Sequence, residues 1–182
     1  MIEDLSRQQA VRVAIVSDTH GYLYPDVLAV VENCDVAVHA GDIGSSRVLD
    51  VLQAGAGKVV AVRGNNDVPG LWAGDELDVL KTVPRVAELL LPGGTLAVEH
   101  GHVHGPMSPD LGKLRAAHPH ARVIVYGHTH RQLVDRAKTP WVLNPGAAGR
   151  VRTHGGPSCL ILSVDARRWH VQILRFAPLS RD

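Results

Sequence analysis

The sequence predicts an α/β fold in which a parallel sheet is built first and a mostly β-structured half follows. Three β-branched segments between residues 11 and 62 alternate with two helix-like segments, an alternation typical of parallel strands joined by crossover helices. Beyond residue 85 short strand-like segments dominate. At 182 residues the chain has the length of one domain, so we expect a single domain over 1–182, with residues 1–10 as a flexible extension.

The elements of the first half are predicted from residue type and turn signals. A β-branched run with an abrupt polar end is typical of a buried strand entering a loop. Proline at the start of a segment, serine before it and glycine after it mark helix ends. These signals give strand 11–17, helix 25–33 beginning at Pro25, strand 35–39, helix 46–53 stopped by Gly55, strand 58–62, and a loop with a short helix over 68–85.

The second half is predicted to contain a hairpin, one helix and several short strands. The Pro92-Gly93-Gly94 turn separates two alternating segments and indicates the hairpin. The predicted order is strands 86–91 and 95–99, helix 109–117, strand 122–126, strands near 132–135 and 141–143, and strands 159–164 and 169–176. We therefore expect the two halves to form two sheets of one layered domain.

Composition excludes several function classes. The net charge of +1 is too small to attract a nucleic acid or an anionic membrane by itself, so no obligate nucleic-acid partner is expected. Only two cysteines are present, which argues against a disulfide framework. The polar N-terminal segment lacks the pattern of an export signal, and no apolar run approaches the roughly 18–20 residues that span a bilayer. We expect no membrane association and a cytoplasmic location.

Five short polar strings follow predicted strands, and they contain many of the eleven histidines. In open α/β sheets ligands bind beyond the carboxyl ends of the strands, so strings that are distant in sequence are expected to meet there. The strings are SDTHG at 17–21, GD at 41–42, GNND at 64–67, EHGH at 99–102 and GHTH at 127–130.

The residue types in these strings predict a metal centre. Carboxylate, amide carbonyl and imidazole donors suit Mn²⁺, Fe²⁺, Zn²⁺ or Ni²⁺. Seven such residues are too many for one tetrahedral ion but fit two ions that share a carboxylate, an arrangement that recurs in phosphoryl transfer. The candidate ligands are Asp18, His20, Asp42, Asn65, His100, His128 and His130.

In order and spacing, these strings resemble the calcineurin-like metallophosphoesterase superfamily over residues 11–150, most closely its small bacterial and archaeal phosphodiesterases. The resemblance implies a four-layer αββα sandwich of two facing mixed sheets, two divalent ions with Mn²⁺ expected first, and a bridging hydroxide as nucleophile. It also implies that residues 144–147 form a tight turn near the site. The implied ligands are Asp18, His20 and His130 for one ion, Asn65, His100 and His128 for the other, and Asp42 for both.

The sequence departs from the family pattern at Asn66, where many members carry a histidine that can protonate a leaving group. An amide cannot transfer that proton, so we expect a preference for activated or diester substrates unless His102 or His104 replaces it. Asn66 and His102 are the candidate substrate contacts, whereas Arg63 and Arg150 could contact a phosphate but are interpreted first as solvated loop residues.

Three functions remain open at this stage. The preferred prediction is a phosphodiesterase acting on a small or nucleotide-like phosphodiester. The alternatives are a phosphomonoesterase of the same fold and a non-catalytic scaffold such as the retromer subunit that belongs to this superfamily. The physiological substrate and the oligomeric state are not indicated by any motif.

Overall fold

The computed structural model describes residues 1–178, which form two sheets and four α-helices. One sheet has the strand order β1-β5-β6-β7-β9-β8 and the other the order β11-β10-β2-β3-β4. The strands are β1 Ile2–Asp4, β2 Ala10–Val16, β3 Val36–His39, β4 Val59–Ala61, β5 Val86–Leu91, β6 Gly94–Glu99, β7 Val123–Val125, β8 Leu133–Asp135, β9 Trp141–Asn144, β10 Ser158–Asp165 and β11 Trp169–Arg175. The helices are α1 Pro25–Val31, α2 Ser46–Ala56, α3 Leu77–Thr82 and α4 Leu111–Ala117, with 3₁₀ turns at Gly74–Glu76 and His102–His104.

The predicted elements are present, with shifted helix ends in α1, α2 and α4, of which that of α2 is the largest. Helix α2 begins after Ser45, whose hydroxyl accepts a hydrogen bond from Arg47 N. It ends at Gly57, which adopts a left-handed φ of 72° and donates its N–H to the Gln53 carbonyl. The prediction that Gly55 stops the helix is wrong. Gly55 lies inside the helix and faces α1, where an added Cβ would come within 3.3 Å of Val31 Cγ1.

The N-terminal residues do not form the predicted flexible extension. Residues 2–4 form β1, which pairs in parallel with β5 in the register Ile2↔Glu88 to Asp4↔Leu90. The backbone hydrogen bonds from Glu88 N to Met1 O and from Leu5 N to Leu90 O extend this pairing at both ends. The prediction was wrong because a three-residue edge strand with polar residues has no apolar alternation to reveal it.

The two halves of the chain do not separate cleanly into two sheets. The C-terminal hairpin β10–β11 joins the sheet of the first half, where β10 pairs antiparallel with β2 from Leu160↔Ile15 to Asp165↔Ala10. Strand β1 crosses in the other direction to the sheet of the second half. Each sheet is therefore mixed, with antiparallel strands added to a parallel core.

The alternation of side chains along β2 shows how the layers stack. Val13 and Ile15 pack between the two sheets, against Leu89 and Leu96 of the other sheet. Ala14 lies on the opposite face of β2 and packs with residues of α1 and α2. The outer face of the sheet that contains β6, β7 and β9 packs against α4 in a smaller apolar cluster. This is the four-layer αββα sandwich that the resemblance implied, and the prediction is confirmed.

All five polar strings lie at carboxyl ends of strands in the parallel parts of the sheets. Strands β2, β3 and β4 run parallel and lead into the strings at 17–21, 41–42 and 64–67. Strands β6 and β7 also run parallel and lead into the strings at 99–102 and 127–130. Within residues 1–178 no helix is long and apolar enough to cross a membrane.

We expect the apolar layer between the sheets to dominate folding stability. Leu160 is fully buried in this layer, so Leu160→Ala should lower the free energy of unfolding by about 2–5 kcal/mol in urea titrations. Its cross-strand neighbour Ile173 is 55% exposed, so Ile173→Ala should change that free energy by no more than about 0.5 kcal/mol. Equal losses in the two variants would contradict this assignment of the core.

Candidate metal centre

Four of the predicted ligands form one compact group. Their ligand atoms all lie within 4.8 Å of one another. The Nε2 atoms of His20 and His130 are 3.2 Å apart, and His130 Nε2 lies 3.3 Å from Asp18 Oδ1. The fourth member is Asp42, whose Oδ2 lies 3.9 Å from His20 Nε2. We call these residues the first group.

The other three predicted ligands lie on the opposite side of Asp42. His100 Nε2 is 3.3 Å from Asp42 Oδ1, so the two oxygens of this carboxylate face different histidines. The His100 and His128 rings are edge-to-face with centroids 5.4 Å apart, and His128 Nδ1 lies 3.1 Å from Asn65 Oδ1. The structure thus brings all seven residues together, with Asp42 between the first group and this second group.

An unusual backbone conformation is shared by five of the predicted ligands at this site. Within residues 1–178, seven non-glycine residues have positive φ, and five of them are predicted ligands. Such conformations are disfavoured and concentrate where the surrounding structure enforces them at functional sites. The five are Asp18 (55°), His20 (47°), Asp42 (55°), His128 (68°) and His130 (56°).

Neighbouring loops stabilise these turns through backbone hydrogen bonds. Asp18 N donates to Gly41 O at 3.0 Å, and His20 N donates to Asp42 O at 3.0 Å. His39 joins the same two loops, because its Nδ1 accepts from Gly41 N and its Nε2 lies 2.8 Å from Thr19 Oγ1. Burial lowers the pKa of His39 to about 4, so this histidine is a neutral, packed residue, as its position outside the motifs predicted.

Glycine is required where the loop after β3 and the loop after β4 approach each other. A Cβ on Gly64 would overlap Asp42 Oδ1 and lie 2.8 Å from His100 Cδ2. Gly41 has a φ of 95°, and a Cβ there would lie 2.6 Å from His100 Nδ1. The GD and GNND strings therefore need glycine to let backbone and ligands share this space.

The histidines of the two groups are oriented by main-chain carbonyls. His100 Nδ1 donates to Ala40 O at 2.7 Å, and His130 Nδ1 donates to Val151 O at 3.3 Å. Because a carbonyl only accepts, Nδ1 of each ring keeps its proton, and Nε2 is the nitrogen that faces the carboxylates. Metal-binding histidines are commonly held in this way by their second nitrogen.

Burial dominates the electrostatics of the first group. It raises the pKa of Asp18 to about 7 and lowers that of His130 to about 4. Burial likewise lowers the pKa of His20. Uncharged forms of Asp18, His20 and His130 are therefore favoured when only protein atoms surround them.

Asp42 and His100 behave as an ion pair at the centre of the site. Burial opposes ionisation of Asp42, but hydrogen bonds from His100 and Asn66 outweigh it and hold the Asp42 pKa well below its ordinary value. Burial also opposes protonation of His100, yet the bond to Asp42 and the charge of Asp18 raise the His100 pKa. The central carboxylate is accordingly charged.

These residues fit divalent metal ions. Within residues 1–178, both oxygens of Asp18 are buried without a hydrogen-bond partner. Buried polar atoms are almost always satisfied, and a cation would satisfy both of these. The donors are oxygen and imidazole nitrogen, which first-row divalent ions accept.

Comparison with known proteins supports the same conclusion. Residues 11–167 match the calcineurin-like phosphoesterase superfamily domain. The chain belongs to this superfamily. It is 32% identical over 141 residues to a probable metallophosphoesterase of Methanocaldococcus jannaschii, covering 74% of this chain and 67% of that protein. It is 24% identical over 177 residues to a phosphodiesterase of the same organism, covering 90% and 99%.

A solved structure shows the same fold. Vacuolar protein sorting 29 from Cryptosporidium parvum superposes with a TM-score of 0.73 at 17% identity, covering 93% of this chain and all of that one. At this identity the likeness shows the fold alone. The chain is thus a phosphoesterase-superfamily protein with a group of aspartates and histidines suited to metal binding.

Within this superfamily site, Asn66 has a contact that the sequence did not predict. Its N–H donates to Asp42 Oδ1 at 2.9 Å, and its side-chain amide donates to Asp42 Oδ2 at 2.6 Å. Asn66 therefore orients the central carboxylate. His102 lies beside the second group, with ring centroids 5.5 Å from His100 and 6.2 Å from His128. The substrate roles of Asn66 and His102 stay predictions.

Two further polar side chains, those of Asp67 and Asn144, support the loops around the site. Asp67 accepts hydrogen bonds from Ile43 N and Gly44 N in one loop and from Trp72 Nε1 in another. Asn144 donates its amide to Gly127 O at 2.7 Å and so anchors the GHTH loop. Its own Oδ1 accepts from Gly146 N, which makes residues 144–147 the predicted tight turn.

Three residues, one histidine and two arginines, make contacts that the sequence did not predict. Arg152 reaches the first group, with one terminal nitrogen 3.4 Å from His20 Nε2 and 3.3 Å from His130 Nε2. No sequence pattern marks this loop residue. His104, considered as a substitute acid, instead lies 2.7 Å from Glu99 Oε1. Arg150 is stacked on Tyr22, with its guanidinium carbon 3.5 Å from the ring centroid.

We expect Asp18→Asn to stabilise metal-stripped protein increasingly as pH rises. The pKa of Asp18 is about 7 in the folded chain and near 3.8 when unfolded, so ionisation favours the unfolded state between these pH values. The free energy of unfolding of the wild type should fall relative to that of the variant from about pH 4 to pH 7, by a few kcal/mol. Urea titrations in chelator test this, and a constant difference would contradict it.

Proposed function

We propose that this protein is a metal-dependent phosphodiesterase with a dinuclear centre, acting on a small or nucleotide-like phosphodiester. The observation that carries the proposal is the position of Asp42, whose two carboxylate oxygens face His20 in one group and His100 in the other. Two ions that share such a carboxylate would supply activated water and stabilise charge on the phosphoryl oxygens. Mn²⁺ is the ion we expect first, with Ni²⁺, Fe²⁺ and Zn²⁺ as alternatives.

The protein's own groups define what it contributes to the reaction. Asn66 keeps the central carboxylate in place through two hydrogen bonds, and main-chain carbonyls hold His100 and His130. An amide at residue 66 cannot protonate a leaving group. Loss of such an acid typically slows a reaction by about 10²–10⁴, most for poor leaving groups. The residues therefore favour substrates whose leaving group departs as a stable anion.

Asp42→Asn should abolish metal-dependent turnover while leaving the fold intact. The substitution preserves size but removes the charge that two ions would share, so we expect hydrolysis of bis-p-nitrophenyl phosphate with Mn²⁺ to fall by at least about 10²-fold. The matched control is Asp50→Asn, an exposed carboxylate on α2 that should keep full activity.

Two outcomes would contradict the proposal in different ways. Full activity in Asp42→Asn would mean that the central carboxylate is not needed for turnover. The wild type could instead retain no metal after dialysis and hydrolyse neither bis-p-nitrophenyl phosphate nor p-nitrophenyl phosphate with any of the four ions. That result would favour the scaffold alternative. Elemental analysis of the dialysed protein separates these cases.

The amide at residue 66 also predicts which ester is preferred. With equal p-nitrophenolate leaving groups, bis-p-nitrophenyl phosphate should have a higher kcat/KM than p-nitrophenyl phosphate, by about 10-fold or more. The reason is that a monoester dianion gains more from a hydrogen-bonding acid at this position than a diester does. A reversed ratio at saturating Mn²⁺ would establish the phosphomonoesterase alternative.

A further inference from the structure

A cleft opens beside the second group, next to His102. It has a volume of about 380 Å³, and its lining includes Arg63, Asn65, Arg85 and His102. Asn65 and His102 border both this cleft and the second group, as their distances to His128 and His100 show. The cleft and the second group therefore lie next to each other and share these two residues.

Two arginines are positioned side by side in this cleft by the backbone. Arg63 follows β4, and Arg85 directly precedes β5. Arg63 N donates to Pro84 O at 2.8 Å, which joins the two segments next to both arginines. Arg85 is also close enough to act electrostatically on His102. Both arginines therefore line the same cleft although they are 22 positions apart in sequence.

Neither arginine is neutralised within the described part of the chain. No ion pair in residues 1–178 involves Arg63 or Arg85, and Arg63 Nε is buried without a hydrogen-bond partner. The carboxylate among the lining residues is Asp67, which is buried and already accepts hydrogen bonds from four donors. Those donors are Ile43 N, Gly44 N, Gly64 N and Trp72 Nε1.

We propose that this cleft binds a second phosphate group of the substrate, apart from the phosphate that is hydrolysed. Arginines that line one cleft are well suited to bind a phosphate dianion, because each guanidinium group presents paired N–H donors. Val68 and Pro69 provide an apolar wall, against which a sugar or ring can pack. The inference rests on the proposed function, and it narrows the substrate to a phosphoester that carries a further phosphate.

Calorimetric titration of Mn²⁺-loaded protein provides the first test. Thymidine 3′,5′-bisphosphate should bind about 10-fold or more tightly than thymidine 5′-monophosphate, and added salt should reduce the difference. Arg63→Gln and Arg85→Gln should each bring the two affinities close together. Equal affinities in the wild type, or a preference that both variants retain, would overturn the proposal.

Kinetics on a matched pair of esters tests the same cleft during turnover. The p-nitrophenyl ester of thymidine 5′-phosphate and the same ester bearing a 3′-phosphate differ by one group, and the wild type should favour the second in kcat/KM by about 10-fold. Arg85→Gln should remove this preference, whereas Arg167→Gln should keep it. Arg167 is exposed in the turn after β10, at the opposite end of β2 and about 20 Å from the site.

The outcomes separate the two proposals. Turnover of both esters at equal kcat/KM overturns the phosphate cleft and leaves the phosphodiesterase standing. If neither ester is hydrolysed, the proposed function fails, and the calorimetric comparison still decides whether the cleft binds phosphate. Arg85 is exposed, so its variant should fold even if Arg63→Gln does not, and circular dichroism checks both.

Discussion

The buried, unpartnered carboxylate of Asp18 is the constraint on which the rest of the site depends. Removing a carboxylate from water without a compensating partner is costly, and here burial raises its pKa to about 7. The nearest imidazole, that of His130, is buried too and resists protonation. Neither residue neutralises the other, so the group gains most from a cation, and the same feature that costs folding stability creates affinity for metal.

The fold offsets this cost through the way its loops are joined. Five of the predicted ligands adopt left-handed backbone conformations, each disfavoured by about 1 kcal/mol or more outside a supporting structure. The support comes from hydrogen bonds between different loops at the strand ends, not from bonds within one loop. Asp67 accepts a hydrogen bond from the GD loop, and Asn144 donates one to the GHTH loop. These bonds form only when the parallel strands are in register, so the site is assembled by the sheets and not by any single motif.

The sequence revealed this site because the ligands follow strands, while it concealed features that depend on long-range pairing. Asp18 and His130 could be predicted, since each ends a β-branched run in a string of ligand-type residues. The position of β10 beside β2 could not be predicted, because the buried and exposed side chains of residues 158–165 would alternate in the same way in either sheet. The contacts of Arg152 with the first group and of Asn66 with Asp42 depend on loop geometry alone, which no periodic pattern in the sequence indicates.

Asn66 and the arginine cleft concern the same chemical problem, the departure of the leaving group. A family histidine at position 66 would supply a proton, whereas the amide instead holds Asp42. Without that proton, charge on the departing oxygen must be stabilised electrostatically or be low from the start. A cationic cleft beside the second group contributes positive potential there, and Arg63 and Arg85 lie in a setting where few carboxylates screen them. Under the proposed function, the amide at residue 66 favours substrates with stable leaving groups, and the unpaired arginines favour those that carry a further phosphate.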